Sequence, residues 1–171
     1  IALPSVAITG LSNAGKSSLF NALCGKARAI VSPEFAVTRD VLTEIIRLES
    51  VEFALSDTAG LNPNASSPLD HLADSTARQA IESADLVLFC VDVSKKDFSA
   101  DLALLRSMSP RSIIFVAAKS DLASSDANLS NLNRLFGYDF VSVSSTLAVN
   151  LDLLKTRIAS SLGSTDPIAP D

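Results

Sequence analysis

Long apolar runs are missing: the two longest, Leu86–Val91 and Ile113–Ala118, are each six residues long. A membrane-crossing helix needs roughly 18 or more, so no membrane span is expected. Positive charge is in deficit. Fourteen Lys plus Arg stand against nineteen Asp plus Glu, a formal net charge of -5. That sign argues against a domain held to nucleic acid mainly by neutralising phosphates, and no direct nucleic-acid binding is expected. Cysteine is scarce too, with only Cys24 and Cys90. Their separation fits neither a metal site nor a disulfide framework, and both are expected as reduced core thiols. No basic n-region with a signal-like apolar stretch opens the chain, whose first residue is Ile1. It is expected to act in the cytoplasm and to be a piece excised from a longer protein.

What is present supports a single packed core. Hydrophobic residues make up 47% of 171 positions and charged ones 19%, a balance that supports folding and argues against disorder or a fibrous repeat. Strand-length apolar runs alternate with segments of helical period, which predicts an α/β fold. Strands are expected at Val6–Thr9, Val41–Leu48, Val51–Ser56, Leu86–Val91, Ile113–Ala118 and Phe140–Val143. The fourth and fifth have the continuous apolar character of strands covered on both faces. Helices are expected over Lys16–Cys24, around Ala77–Ala84, over Ala100–Met108, around Leu129–Phe136, and in a last segment with Leu151, Leu154, Ile158 and Leu162 on one face. Residues 28–40 and Ala59–Asp70 read as long loops, a length usually kept for function. Residues 163–171 read as a linker or frayed tail.

Gly10–Ser17 fits the pattern G-x-x-x-x-G-K-[ST] between a β-branched strand and a helix. In that setting backbone N–H groups and the helix N-terminus converge on one anion. Ala14, Gly15 and Ser18 supply that backbone, Lys16 can reach β- and γ-phosphates, and the Ser17 hydroxyl can ligate Mg²⁺. Asp57, at a strand end, can hold the same ion directly or through water, or simply help the next turn. The Gly60 N–H can meet a γ-phosphate because no side chain blocks the approach. Thr38, in the first long loop, can offer a second hydroxyl to the metal and close over the nucleotide.

Five ordered motifs now carry a resemblance: Gly10–Ser17, Ala36–Asp40, Asp57–Gly60, Lys119–Asp121 and Ser144–Ser145. Together with the runs Ser12–Leu23, Asp57–Leu61 and Ala84–Asp92, they resemble the G domain of the MnmE (TrmE) tRNA-modification GTPases, within the TrmE-Era-Der class. Der-type ribosome-assembly GTPases come second, since they usually carry a second glycine where this chain has Ala59. The resemblance covers roughly residues 5–162. It implies a three-layer P-loop NTPase fold, Ras-like, with a mostly parallel six-stranded sheet and helices on both faces, and a GTP-binding domain over residues 1–162.

The resemblance also implies site roles. The family reads guanine with an Asn-Lys-x-Asp run, and here the first position is Ala118. Asp121 can still accept the two hydrogen bonds that guanine offers and adenine does not, and the Lys119 stem can lie along the ring. The alternative is that Lys119 and Asp121 form only a solvated strand end. Backbone amides at Ser144 and Ser145 resemble the family's last base-contacting motif. Where Ras-type enzymes carry a water-orienting glutamine, this chain has Leu61, which can neither donate nor accept a hydrogen bond. The family instead uses an Asn matching Asn13 to help hold K⁺, and an acidic residue of the second switch that acts through water. Counting from Asp57 puts Leu69 at that place and counting back from Ala84 puts Asp70, whose other reading is an N-cap for a helix starting at His71.

The expectation is thus a GTP- and GDP-binding, Mg²⁺-dependent GTPase, slow alone and stimulated by K⁺ when two G domains pair. The family implies a flavoprotein partner and tRNA, reached only through parts of a parent protein outside this chain. Two rivals remain: a nucleotide-binding switch with negligible hydrolysis, and an ATP-binding P-loop protein.

Overall fold

The computed structural model describes residues 3–11, 14–25, 42–48, 51–58, 68–121 and 125–163. Six strands form one sheet: β1 (Ser5–Gly10), β2 (Leu42–Arg47), β3 (Glu52–Asp57), β4 (Leu86–Asp92), β5 (Ile113–Ala118) and β6 (Val141–Ser142). Five helices are described: α1 (Lys16–Cys24), α2 (Pro68–Ser83), α3 (Ser99–Arg106), α4 (Ser125–Phe136) and α5 (Leu151–Gly163). The strand order is β2-β3-β1-β4-β5-β6. Only β2 runs antiparallel to its neighbour, so the mostly parallel six-stranded sheet is as expected.

Strand alternation divides the apolar residues between two faces. Val6, Ile8, Leu86, Leu88 and Cys90 pack with Leu19 and Phe20 of α1 and with Leu154 and Ile158 of α5. Ala7, Val87, Phe89 and Val91 pack on the other side with Ala77 and Ile81 of α2, Leu104 of α3, and Leu132 and Phe136 of α4. Phe89, Phe115, Phe136 and Phe140 form a ring cluster there, with centroids 5.1–6.3 Å apart. Because helices cover both faces, β4 is apolar along almost its whole length.

The topology fixes where function can sit. The chain leaves β1 through α1 on one face toward β2 and β3, and reaches β4 through α2 on the opposite face. That reversal opens a crevice at the carboxyl ends of the parallel strands, the usual ligand position in such sheets. Gly10, Asp57, Asp92 and Ala118 all end strands at this edge.

Element limits differ from the sequence expectation at several ends. Helix α2 begins at Pro68, so the expected loop to Asp70 is too long; proline suits a first helical position, where its fixed φ fits and its missing N–H costs nothing. Asp70 is therefore inside the first turn and not an N-cap for a helix starting at His71. Helix α4 starts at Ser125, a turn before the apolar period reveals it. Helix α3 stops at Arg106 because Ser107 and Met108 bond back to the Leu104 and Leu105 carbonyls. Strand β6 is shorter than Phe140–Val143, since the Phe140 N–H donates to Asn133 Oδ1 at 3.0 Å. Cys90 is a buried thiol as expected, whereas Cys24 is only half-buried beside the core. Among the described residues no helix is long and apolar enough to cross a membrane.

Candidate functional site

The site starts with two glycines in backbone conformations that other residues rarely adopt. Gly10 lies at φ +146°, and a Cβ there would stand 2.5 Å from the Cys90 carbonyl oxygen, so the loop can leave β1 this close to β4 only without a side chain. Gly15 caps α1 at φ 94°, ψ 19°, a left-handed turn that costs an L side chain roughly 1–2 kcal/mol. The first helical bond runs from the Leu19 N–H to the Gly15 carbonyl, leaving the N–H groups of residues 16–18 without partners inside the helix. No side chain caps this end and no acidic residue occupies its first turn. Its positive dipole end is therefore available to an anion.

Lys16 and Asp57 put opposite charges beside that helix start. Lys16 is buried and donates from Nζ to the Leu11 carbonyl at 2.8 Å. Burial holds its ammonium below the ordinary lysine range, with Asp57 and Cys90 opposing the shift. Ser17 Oγ donates to Asp57 Oδ2 at 3.0 Å across the end of β3. Burial pushes the Asp57 carboxyl above the usual carboxylate range, against the Ser17 hydroxyl and Lys16. The folded chain thus holds the Asp57 proton more tightly than the unfolded chain. Asp57 favours folding at acid pH, and that contribution is lost as pH rises from the ordinary aspartate range through its raised value. A cation beside it offsets the cost. A hydroxyl and a carboxylate are hard oxygen donors of the kind Mg²⁺ takes, a few from protein and the rest from water and phosphate, so Ser17 and Asp57 fit that ion. Thr58, directly after β3, donates both its N–H and its hydroxyl to the Ile8 carbonyl, at 3.2 and 2.7 Å.

The second half of the site lies after β5 and β6. A cavity of about 250 Å³ is lined by Gly15, Ser18, Ala118, Lys119, Asp121, Ser145 and Thr146. It joins the start of α1 to both later loops, so Gly15 and Ser18 face one space with the Lys119–Asp121 run. Ala118 is buried 3.5 Å from where a Gly15 Cβ would sit. Lys119 turns out of the strand at φ 65°, a strained backbone for a non-glycine residue, worth roughly 1–3 kcal/mol. Its Nζ reaches Asp92 Oδ2 at 3.1 Å. Asp121 Oδ1 accepts from the buried Ser144 hydroxyl at 2.8 Å.

These placements sort the expected residues. Ala14, Gly15, Lys16, Ser17, Ser18 and Asp57 gather at the carboxyl edge of the sheet; Lys119, Asp121 and Ser145 meet them across the cavity. Ser144 serves differently from the expectation. Its N–H donates to the Val149 carbonyl at 3.1 Å, so its hydroxyl on Asp121, rather than its amide, is what it brings to the site. Asn13, Thr38 and Gly60 lie outside the described residues, and of Asp70 only its place in α2 is described. Sequence reading missed Asp92 and Thr146. Asp92 ended the apolar run of β4, and β4–β5 register sets it opposite Ala118; Thr146 directly follows the expected Ser144–Ser145 pair.

Comparison with known proteins agrees with this geometry. The family model described as "50S ribosome-binding GTPase" matches residues 5–119. A curated relative, the tRNA modification GTPase MnmE of Sodalis glossinidius, is 37% identical over 165 residues, covering 94% of this chain and 36% of its own length. The chain thus spans about a third of the length of the curated relatives it matches. Among solved structures, a point variant of Aquifex aeolicus Era bound to GDP.AlF4- superposes at a TM-score of 0.78 with 26% identity, over 94% of this chain and 57% of that one. Era in complex with MgGDPNP and nucleotides 1506–1542 of 16S ribosomal RNA gives 0.81 and 26%, over 99% and 60%. The MnmE likeness in sequence outweighs the Era likeness in structure. With an uncapped helix start, an Asp57–Ser17 hydrogen-bonded pair and a cavity of about 250 Å³ in one crevice, the chain belongs to the 50S ribosome-binding GTPase family and is a GTPase domain resembling the G domain of MnmE.

Proposed function

We propose that this domain binds GTP with Mg²⁺, hydrolyses it slowly alone, and is accelerated when K⁺ promotes contact between two G domains across the nucleotide face. The observation that carries the nucleotide reading is the cavity shared by the start of α1 and the Lys119–Asp121 run. In this reading the N–H groups of Ala14–Ser18 and the Lys16 ammonium bind the phosphates. Ser17, Asp57 and Thr38 hold the metal, whose charge offsets that building on the β- and γ-oxygens. Asp121 reads guanine, the Ser145 amide meets its carbonyl, and the Gly60 N–H senses the γ-phosphate.

The K⁺ part rests on the resemblance to the MnmE family. Leu61 offers no group to orient water, so charge and water placement must come from elsewhere. Asn13 is proposed to help hold K⁺ near the phosphates, and Asp70, in the first turn of α2, to act on the attacking water through a second one. By analogy with MnmE, the whole protein modifies tRNA with a flavoprotein partner, through segments outside this chain. Era was solved with ribosomal RNA, but the net charge of -5 here favours assigning RNA contact to those other segments. The same reading puts the domain in the cytoplasm, where two thiols stay reduced.

The test is GTP turnover in KCl and in NaCl over a range of protein concentrations. Faster turnover in KCl, rising more steeply than linearly with protein, is expected. Equal rates in the two salts overturn the K⁺ and pairing parts. The rival switch without hydrolysis, favoured by Leu61, is excluded by phosphate release in a single turnover at saturating GTP.

A further inference from the structure

The base side of the crevice has lost one of its usual holds, and the structure shows what stands there instead. At Ala118 no side-chain amide can tie the phosphate loop to the base loop, yet Lys119 keeps a left-handed backbone at φ 65°. A residue in that conformation persists only where its surroundings over-determine it. Two contacts do so here: the Ser120 N–H bonds the Val143 carbonyl at 3.0 Å, and the Lys119 ammonium is tied to Asp92 Oδ2 at 3.1 Å.

Asp92 is itself fixed. Its Oδ1 accepts from both the N–H and the hydroxyl of Ser94, at 2.9 and 2.5 Å. One oxygen is thus committed to the turn after β4, and the other points at Lys119. Parallel pairing sets Asp92 opposite Ala118, so the next residue, Lys119, can fold back onto it. The carboxylate is largely covered, at 18% side-chain exposure against 37% for Lys119. Burial alone would raise its pKa, but the bonds from Ser94 and Lys119 together outweigh that and hold it below the ordinary aspartate range. It remains a fixed anion at neutral pH, and the Lys119 stem is stretched between this anchor and the cavity floor, 3.8 Å from where a Gly15 Cβ would lie.

We propose that Asp92 is a positioning residue of the nucleotide site, which holds the Lys119 side chain as a preformed wall of the base cavity. It acts through Lys119 and touches no nucleotide itself. The inference rests on the guanine-site reading above. Ordering a lysine stem before the ligand arrives removes an entropy cost from binding, so loss of the anchor weakens affinity without removing any group that contacts the base.

Asp92→Asn separates the two oxygens' roles. An asparagine can keep its carbonyl oxygen on Ser94 and presents an NH₂ group, which cannot accept, to Lys119. Titration of fluorescent GDP into the wild-type chain, Asp92→Asn, Lys119→Met and the double variant measures the coupling. A roughly tenfold rise in Kd for Asp92→Asn is expected, with no further rise when it is added to Lys119→Met. An unchanged Kd, or the same rise in both backgrounds, overturns the proposal, the latter making Asp92 merely a brace of its own turn. Should Asp92→Asn fail to fold, Ser94→Ala removes the hydroxyl bond to the anchored oxygen while leaving the backbone N–H bond, and is expected to raise Kd by roughly threefold, again only while Lys119 is present; no change overturns it. If the wild-type chain binds no GDP, the guanine-site reading falls first. If it binds and Asp92→Asn is indifferent, only this inference falls.

Discussion

The two ends of the crevice are built by different means. At the phosphate end, backbone does the work: Gly10 has no room for a Cβ, Gly15 turns left-handed, and the start of α1 carries no competing cap. At the proposed base end, side chains from a strand end and from the segments after β5 and β6 hold one another. Lys119 pairs with Asp92 across 27 residues and Asp121 with Ser144 across 23. Each end is therefore vulnerable in its own way. A substitution at Gly10 is expected to strike the fold itself, because the backbone there is wedged against β4. A substitution at the base end is expected to strike affinity first, because its parts sit at strand ends and just beyond them on an intact sheet.

Gly10→Ala puts the greatest strain on this contrast. The added methyl meets the Cys90 carbonyl at 2.5 Å with φ already at +146°, and urea unfolding is expected to show a loss of about 3 kcal/mol. A variant as stable as the wild type would mean that the loop is not wedged. Asp121→Asn should behave in the opposite way. Asp121 is exposed, so its melting temperature should hardly move, while affinity for GDP falls roughly a hundredfold because one acceptor facing guanine becomes a donor. Parallel losses of stability and affinity would erase the distinction between the ends. Ala118→Asn joins them: an amide placed beside Gly15 can bond both the loop and the base, and about tenfold tighter GDP binding is expected in a fluorescence titration. Unchanged or weaker binding would show that the Ala118 site has closed over the missing side chain.

The same contrast governs what could be read from sequence. The phosphate loop was legible because its parts lie within Gly10–Ser17 and the reason for each glycine is local. The alternating cores of β1, β4 and β5 were legible because two covered faces leave a continuous apolar run. What escaped depends on distant partners. Nothing near Asp92 announces Lys119; only the β4–β5 register brings them together. Ser144 was expected through its amide, and the pairing of residues 144 and 149 turns its hydroxyl to Asp121 instead. The early start of α2 was hidden because Pro68 reads as a loop residue until its place at a helix start is seen.

The central proposal is that both ends form one guanine-nucleotide site. Competition against bound fluorescent GDP in the presence of Mg²⁺ is the decisive check. GTP is expected to displace the probe at stoichiometric levels, whereas ATP in about a hundredfold excess should leave it bound, since adenine lacks the donor pair that Asp121 accepts. Displacement by ATP as readily as by GTP would refute a guanine-reading site.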